Sequence, residues 1–211
     1  MRVLVACEFS GTVRDAFAAR GHDAMSCDLL ESETPGNHYQ GDIRIALSSL
    51  VKWDLLIAHP TCTRLTNSGV RWLTGKKLPR RTTRAQLWRD LDAACEFYKV
   101  LRNANIPRIA IENPVMHKYA KERLGNVPRQ IVQPWYFGDP FFKATGFELK
   151  NLPLLVDTNR LVPPKPGTAE HKAWSAVHRA SPGPDRWKER SRTLPGIAAA
   201  MAEQWGGNAN D

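Results

Sequence analysis

Only four cysteines, Cys7, Cys27, Cys62 and Cys95, occur in 211 residues, and no two of them form a CxxC pair. No Cys/His cluster has the spacing of a zinc site, so no metal is expected. No apolar run approaches the ~20 residues that cross a bilayer, and residues 1–6 are too short for the apolar core of a signal peptide. The GxGxxG fingerprint of dinucleotide folds is missing, and no internal repeat is visible. These absences argue against a disulfide scaffold, a zinc module, a membrane span and a repeat array. They predict a soluble cytoplasmic protein with reduced thiols.

What is present is an ordinary globular composition, 42% hydrophobic and 24% charged. Thirty Lys and Arg against 21 Asp and Glu leave a net charge of +9. Such a balance favours a polyanionic partner, because basic side chains release counterions from phosphates. The alternative reading is charge for solubility alone.

Short apolar runs at 2–6, 23–27, 53–58 and 108–112 read as strands buried on both faces. Helical spacing is clearest over 86–102, where Leu87, Leu91, Ala94, Cys95, Tyr98 and Leu101 share a face. A helix is also expected over 12–20, stopped by Gly21, and another over 196–205 behind Pro195. The rhythm predicts an α/β fold with a mostly parallel sheet. Segments 130–133 and 147–149, flanking Gly138-Asp139-Pro140, predict an antiparallel hairpin at the sheet edge. Residues 31–41 read as a loop, 63–85 as a mobile basic loop, and 157–188 as extended chain. A single domain over 1–211 is expected.

In an open α/β sheet, ligands bind at the carboxyl ends of the strands. This sequence puts Glu8-Phe9-Ser10-Gly11, Asp28, Asp42, His59 to Cys62, and Glu112-Asn113-Pro114 there. Gly11 permits close backbone approach, and Phe9 offers a flat face for an aromatic ring; a plain turn is the alternative. Asp28 can accept bonds from ribose hydroxyls or serve as a cap, and Asp42 from an amino group or serve as a turn residue. Cys62 differs from the other cysteines in its polar company, His59, Thr61, Thr63 and Arg64. A strand-end turn is expected to lower its pKa and make it a nucleophile; an inert, partly buried thiol is the alternative. Glu112 closes an apolar strand. It is either desolvated with a raised pKa, and functional, or neutralised by a partner such as Arg108.

The order Phe9-Ser10-Gly11, Asp28, Gly41-Asp42-Ile43, Pro60-Thr61-Cys62 and Glu112-Asn113-Pro114 resembles the DNA cytosine-5 methyltransferases. The likeness is greatest to the short methyltransferase-like proteins of phage and prophage genomes, and covers most of the chain. Phe137-Gly138-Asp139-Pro140 is similar to a later motif of that family, and the helix opened by Pro195-Gly196-Ile197 to its last one. Thr61 and Thr63 stand where the family has proline and glutamine, and Pro114 where the classical enzymes have valine. No large target-recognition domain is expected.

The resemblance implies a Rossmann-like S-adenosylmethionine-dependent methyltransferase fold, in a bacterial or phage-infected cell. It implies S-adenosylmethionine as methyl donor, held by Phe9, Ser10, Gly11, Asp28, Asp42 and Pro60. Cys62 would attack carbon 6 of cytosine while Glu112 contacts ring nitrogen 3 and the exocyclic amine. DNA is the expected partner, with Arg64, Arg71, Lys76, Lys77, Arg80, Arg81 and Arg84 near its phosphates. A cytidine nucleotide or RNA as substrate, or a non-catalytic nucleic-acid-binding homologue, are the alternatives.

Overall fold

The computed structural model describes residues 1–75, 78, 79, 81–112, 115–125, 128–176, 183 and 186–207. Seven strands among them form one sheet: β1 (Arg2–Ala6), β2 (Asp23–Asp28), β3 (His38–Gln40), β4 (Leu55–Ala58), β5 (Arg108–Glu112), β6 (Gln130–Val132) and β7 (Thr145–Lys150). Their spatial order is β3-β2-β1-β4-β5-β7-β6. Neighbours from β3 to β5 are parallel, whereas β7 runs antiparallel to both β5 and β6. This is the expected Rossmann-like, mostly parallel sheet, with the antiparallel pair at the predicted edge.

The strands are apolar on both faces because helices cover both. Successive side chains point to opposite faces. Leu4, Ala6, Leu56, Ala58, Ile109 and Ile111 therefore face one core layer, formed with α2 (Ile43–Ser48), α4 (Arg84–Arg102) and α5 (Lys118–Leu124). Val3, Val5, Leu55, Ile57 and Ala110 face the other, beneath α1 (Thr12–Ala19) and α8 (Pro195–Gly206). The helical face read in 86–102 is buried as expected at Leu87, Leu91, Cys95, Tyr98 and Leu101. Ile197, Met201 and Trp205 of α8 are likewise buried.

Three segments differ from the sequence reading. Residues 31–41 contain β3, whose three residues lack an apolar pattern and are held by pairing to β2. Residues 63–85 contain α3 (Asn67–Thr74) rather than a continuous loop. Gly69 lets that helix sit against the Thr63 carbonyl, since a Cβ would lie 2.0 Å from that oxygen. Arg84 then donates to the carbonyls of Leu73 and Gly75 at the helix end, at 2.5 and 2.7 Å. Residues 157–188 contain α6 (Ala169–Trp174) and the start of α7 (Arg186–Ser191). Trp174 is buried against the Phe142 ring, which the local sequence does not announce.

The chain winds outward through β2 and β3 on one side of β1, then through β4 and β5 on the other. The order reverses between β1 and β4, and the crevice beyond their carboxyl ends is where such sheets take ligands. The β1–α1 turn and the His59 to Cys62 segment both open onto it. Among the described residues, no helix is long and apolar enough to cross a membrane.

Candidate active site

The β1–α1 turn is held by its own side chains. The Glu8 carboxylate is buried and accepts the backbone N–H groups of Val13 and Arg14 at 2.6 and 3.2 Å. The free amides at the start of α1 are thus satisfied from within, leaving no ready seat for a phosphate. Gly11 has φ of +74°, and a Cβ there would lie 2.2 Å from Thr34 Oγ1. The turn requires glycine, but Thr34 and Arg14 fill the space beside it, so Gly11 serves first as a structural hinge. The Ser10 hydroxyl lies 3.4 Å from Glu8.

Arg14 is the largest fully buried side chain. Its guanidinium donates to Asp15, Ser26, Ser32, Thr34 and the Pro35 carbonyl, and so pins residues 32–35 beside the turn. Sequence reasoning passed over it, because nothing local separates a buried arginine from an exposed one.

Phe9 is buried, with its ring 5.8 Å from Trp187 of α7. The face expected to meet an aromatic ligand thus already has an aromatic neighbour. Asp28 stands at the tip of β2 and accepts the Leu30 N–H at 3.0 Å. Asp42 caps α2, accepting the Arg44 N–H at 2.9 Å. Cap and turn roles do not exhaust either carboxylate. Burial, then Asp28, then Cys27, then Asp42 push the Cys7 thiol up to about 12. The same two aspartates push Cys27 to about 11, after burial. Asp28, at the end of β2, and Asp42, just past β3, therefore both act electrostatically on Cys7 and Cys27.

Cys62 and Glu112 lie within electrostatic reach of each other, beyond the ends of the neighbouring strands β4 and β5. The Cys62 carbonyl accepts from Leu65 and Thr66 at 2.9 and 3.1 Å, which folds the segment into a turn ahead of α3. Its thiol is half-buried and is held above its ordinary pKa, first by burial and then by the Glu112 charge. Its own backbone, Lys143 and Arg190 oppose this more weakly. The expectation of a lowered thiol pKa is corrected: burial, and then the Glu112 charge, outweigh the turn.

Glu112 is corrected in the opposite sense. Burial pushes its pKa up, but the Lys143 charge and the His59 hydrogen bond together hold it below the ordinary value. Its partner is not Arg108, whose guanidinium bonds the carbonyls of Asp54 and Trp205. Ala58 pairs with Ile111 across β4 and β5, so the next residues, His59 and Glu112, lie side by side. His59 Nδ1 is 2.5 Å from Glu112 Oε2. The sequence reading placed His59 at a strand end and gave it as polar company for Cys62, but assigned it no role of its own; its pairing with Glu112 comes from the register of β4 and β5.

A C-terminal segment lies over this group. The Thr193 hydroxyl is 3.5 Å from His59 Nδ1, and Lys143 Nζ donates to the Arg192 carbonyl at 2.7 Å. Arg192 also makes a two-pronged bond to Glu33, at 2.7 and 3.0 Å. Asp139, in the predicted edge motif, caps α8 by accepting the Gly196 N–H at 2.8 Å.

The basic residues proposed for nucleic acid divide. Arg71 is exposed and stacks on Trp72, and Arg81 is exposed. Arg64 is paired with Asp90 at 3.2 Å, and Arg84 is committed to the end of α3. Lys76, Lys77 and Arg80 lie outside the described residues, as do Asn113 and Pro114. Pro60 is buried between His59 and Cys62. Among the described residues, no group of three or more His, Cys, Asp or Glu side chains is placed to hold a metal ion.

No family model matches the chain, and no curated protein matches it. Solved structures do. One is a candidate DNA modification methyltransferase encoded within an E. coli prophage, at 15% identity and a TM-score of 0.47, over 76% of this chain and 52% of that one. Another is the methyltransferase EhMeth of Entamoeba histolytica, at 14% identity and a TM-score of 0.44, over 76% of this chain and 57% of that one. The chain thus spans little more than half the length of either.

Proposed function

We propose that this protein transfers a methyl group from S-adenosylmethionine to carbon 5 of cytosine in DNA, with Cys62 as nucleophile and Glu112 as the group that meets ring nitrogen 3. The observation that supports this reading most is the electrostatic coupling of the Cys62 thiol to the Glu112 carboxylate at the tips of the neighbouring strands β4 and β5. Carbon 5 of cytosine is a weak nucleophile. Addition of a thiolate at carbon 6 turns the ring into an enamine, and a proton at nitrogen 3 relieves the charge that develops.

The cofactor side of the crevice fits the donor. Two carboxylates, Asp28 and Asp42, suit ribose hydroxyls, an adenine amine and a cationic sulfonium. The α1 amides are taken by Glu8, so a phosphate-bearing cofactor is disfavoured. Phe9, Ser10, Gly11, Asp28, Asp42 and Pro60 would hold S-adenosylmethionine, which supplies an electrophilic methyl group when bound. The net charge of +9 and the exposed Arg71 and Arg81 favour a nucleic-acid substrate. A target inside a duplex must be flipped out before the thiol can reach it.

The test is incubation with methyl-labelled S-adenosylmethionine and three acceptors: DNA, RNA and deoxycytidine monophosphate. Label on DNA, and a covalent adduct at Cys62 with DNA carrying 5-fluorocytosine, is the expected result. Label confined to RNA or free nucleotide changes the substrate. The raised pKa of Cys62 favours a second reading, a non-catalytic nucleic-acid-binding protein. Salt-dependent DNA binding with neither label nor adduct supports that one.

A further inference from the structure

The hydrogen bond between His59 and Glu112 has a feature that a merely structural pair does not need. The two side chains are 8% and 13% exposed. A carboxylate can only accept, so the proton of this bond sits on His59 Nδ1. The other ring nitrogen, Nε2, is sealed from solvent and has no hydrogen-bond partner among the described residues. A buried, unpaired polar nitrogen is unusual and costs stability. A glutamine could hold Glu112 equally well with an amide N–H, but that proton cannot be transferred to the carboxylate.

We propose that His59 and Glu112 act as one acid–base unit, in which His59 orients the carboxylate and holds the proton that Glu112 passes to the substrate ring. The proposal rests on the pyrimidine methyl-transfer reading above. His59 is a positioning residue, because it reaches the substrate through Glu112.

The step balances as follows. Cys62 Sγ first releases its proton to solvent and, as thiolate, forms a bond to carbon 6, while the ring takes up the electron pair of the carbon 5–carbon 6 π bond. His59 Nδ1 passes its proton to the ionised Glu112, which passes it to nitrogen 3 and is ionised again. His59 passes from imidazolium to neutral imidazole with its proton on Nε2. Total charge is the same before and after. The arrangement reconciles two facts that conflict for an isolated carboxyl group. Lys143 and His59 hold Glu112 ionised at neutral pH, where alone it has no proton to give. The imidazole hydrogen-bonded to it is the source of that proton in the proposed unit.

The charged groups acting on the unit are few. Glu112 feels Lys143 and His59, Cys62 feels Glu112, Lys143 and Arg190, and the Thr193 hydroxyl flanks Nδ1. The unit must carry its proton to work, so turnover falls as pH rises through the pair's apparent pKa.

The experiment compares the full chain with His59→Gln and His59→Ala. Calorimetry with S-adenosylmethionine and a thermal melt establish that each variant folds and binds donor. His59→Gln, which keeps a donor to Glu112, is expected to lose ~100-fold or more in kcat with little change in KM, and to lose the alkaline fall of the wild-type pH profile. Combining it with Glu112→Gln is expected to cost no more than the worse single change. A readout independent of turnover is imidazole nitrogen and proton NMR. A far-downfield Nδ1 proton is expected in the wild type and absent in Glu112→Gln. The proposal is overturned if His59→Gln keeps turnover within about threefold with an unchanged pH profile, or if that proton resonance is missing. A wild-type protein that methylates no pyrimidine acceptor overturns instead the reading on which the proposal rests.

Discussion

The Glu8 carboxylate accepts the Val13 N–H at 2.6 Å, so helix α1 starts on an anion that the chain itself supplies. In many α/β folds that position is left open for a ligand phosphate. Here the chain closes it with its own carboxylate. Glu8→Ala is expected to cost about 1–2 kcal/mol through loss of the cap, read as a lower melting temperature. Glu8→Gln should cost less. A Glu8→Ala melt equal to wild type would remove the carboxylate's role in starting α1.

Arg14 is the second structural test. Its buried guanidinium serves five partners between Asp15 and Pro35. Arg14→Met is expected to destabilise by about 3 kcal/mol, because several buried acceptors lose their donor at once. Denaturant unfolding measures this. Gly11→Ala should also be costly, since it combines a positive φ with a collision against Thr34.

Alkaline stability follows from Cys7 and Cys27. Folding raises both pKa values, from 9.0 to about 12 and about 11. The unfolded chain therefore ionises first as pH rises. Their stabilising contribution is complete below pH 9 and is lost progressively above it, up to pH 12. The double change Cys7→Ala with Cys27→Ala should flatten that decline. A melt series from pH 8 to 11 decides, and identical slopes would count against the shifts.

Cys62 should behave as a sluggish thiol in the unliganded protein. Burial and the Glu112 charge keep it protonated, so iodoacetamide labelling at pH 7.5 is expected to be slower than for a free thiol and to rise with pH. Glu112→Gln removes one of the two main causes and should speed labelling several-fold. No acceleration would mean that the two groups do not communicate. In catalysis, Cys62→Ala should abolish both turnover and adduct while leaving donor binding in place.

The basic residues should separate by experiment as they do in space. Arg71→Ala is expected to weaken DNA binding and lower the salt slope by about 1, as for loss of one phosphate contact. Arg84→Ala should instead lower the melting temperature, because it strips the end of α3 of its donor. Equal salt slopes for wild type and Arg71→Ala would remove that residue from the interface.

Much of the fold was legible in the residues themselves. Stretches such as 3–6 and 109–111 are apolar at every position and buried throughout, which a strand covered on both faces tolerates. The 3.6-residue spacing of Leu87, Leu91, Cys95, Tyr98 and Leu101 marks a helix without further context. The helix α3 and the strand β3 were not legible. One depends on a glycine pressed to a distant carbonyl and an arginine eleven residues or so beyond, the other on a partner strand.

By itself, the sequence determined which chemical groups end each strand: an acid and a glycine turn after β1, Asp28, Cys62 and Glu112. That follows from local patterning, because burial of a short run depends on its own side chains. Only the tertiary structure decided what those groups are able to do. Strand order set His59 beside Glu112, brought Lys143 and Arg190 within electrostatic reach, and left the Cys62 thiol protonated. Charge acts through space over several ångströms with no regard for distance along the chain. The protonation states on which any chemistry at this site depends were therefore fixed by burial and by residues 31 to 128 positions away.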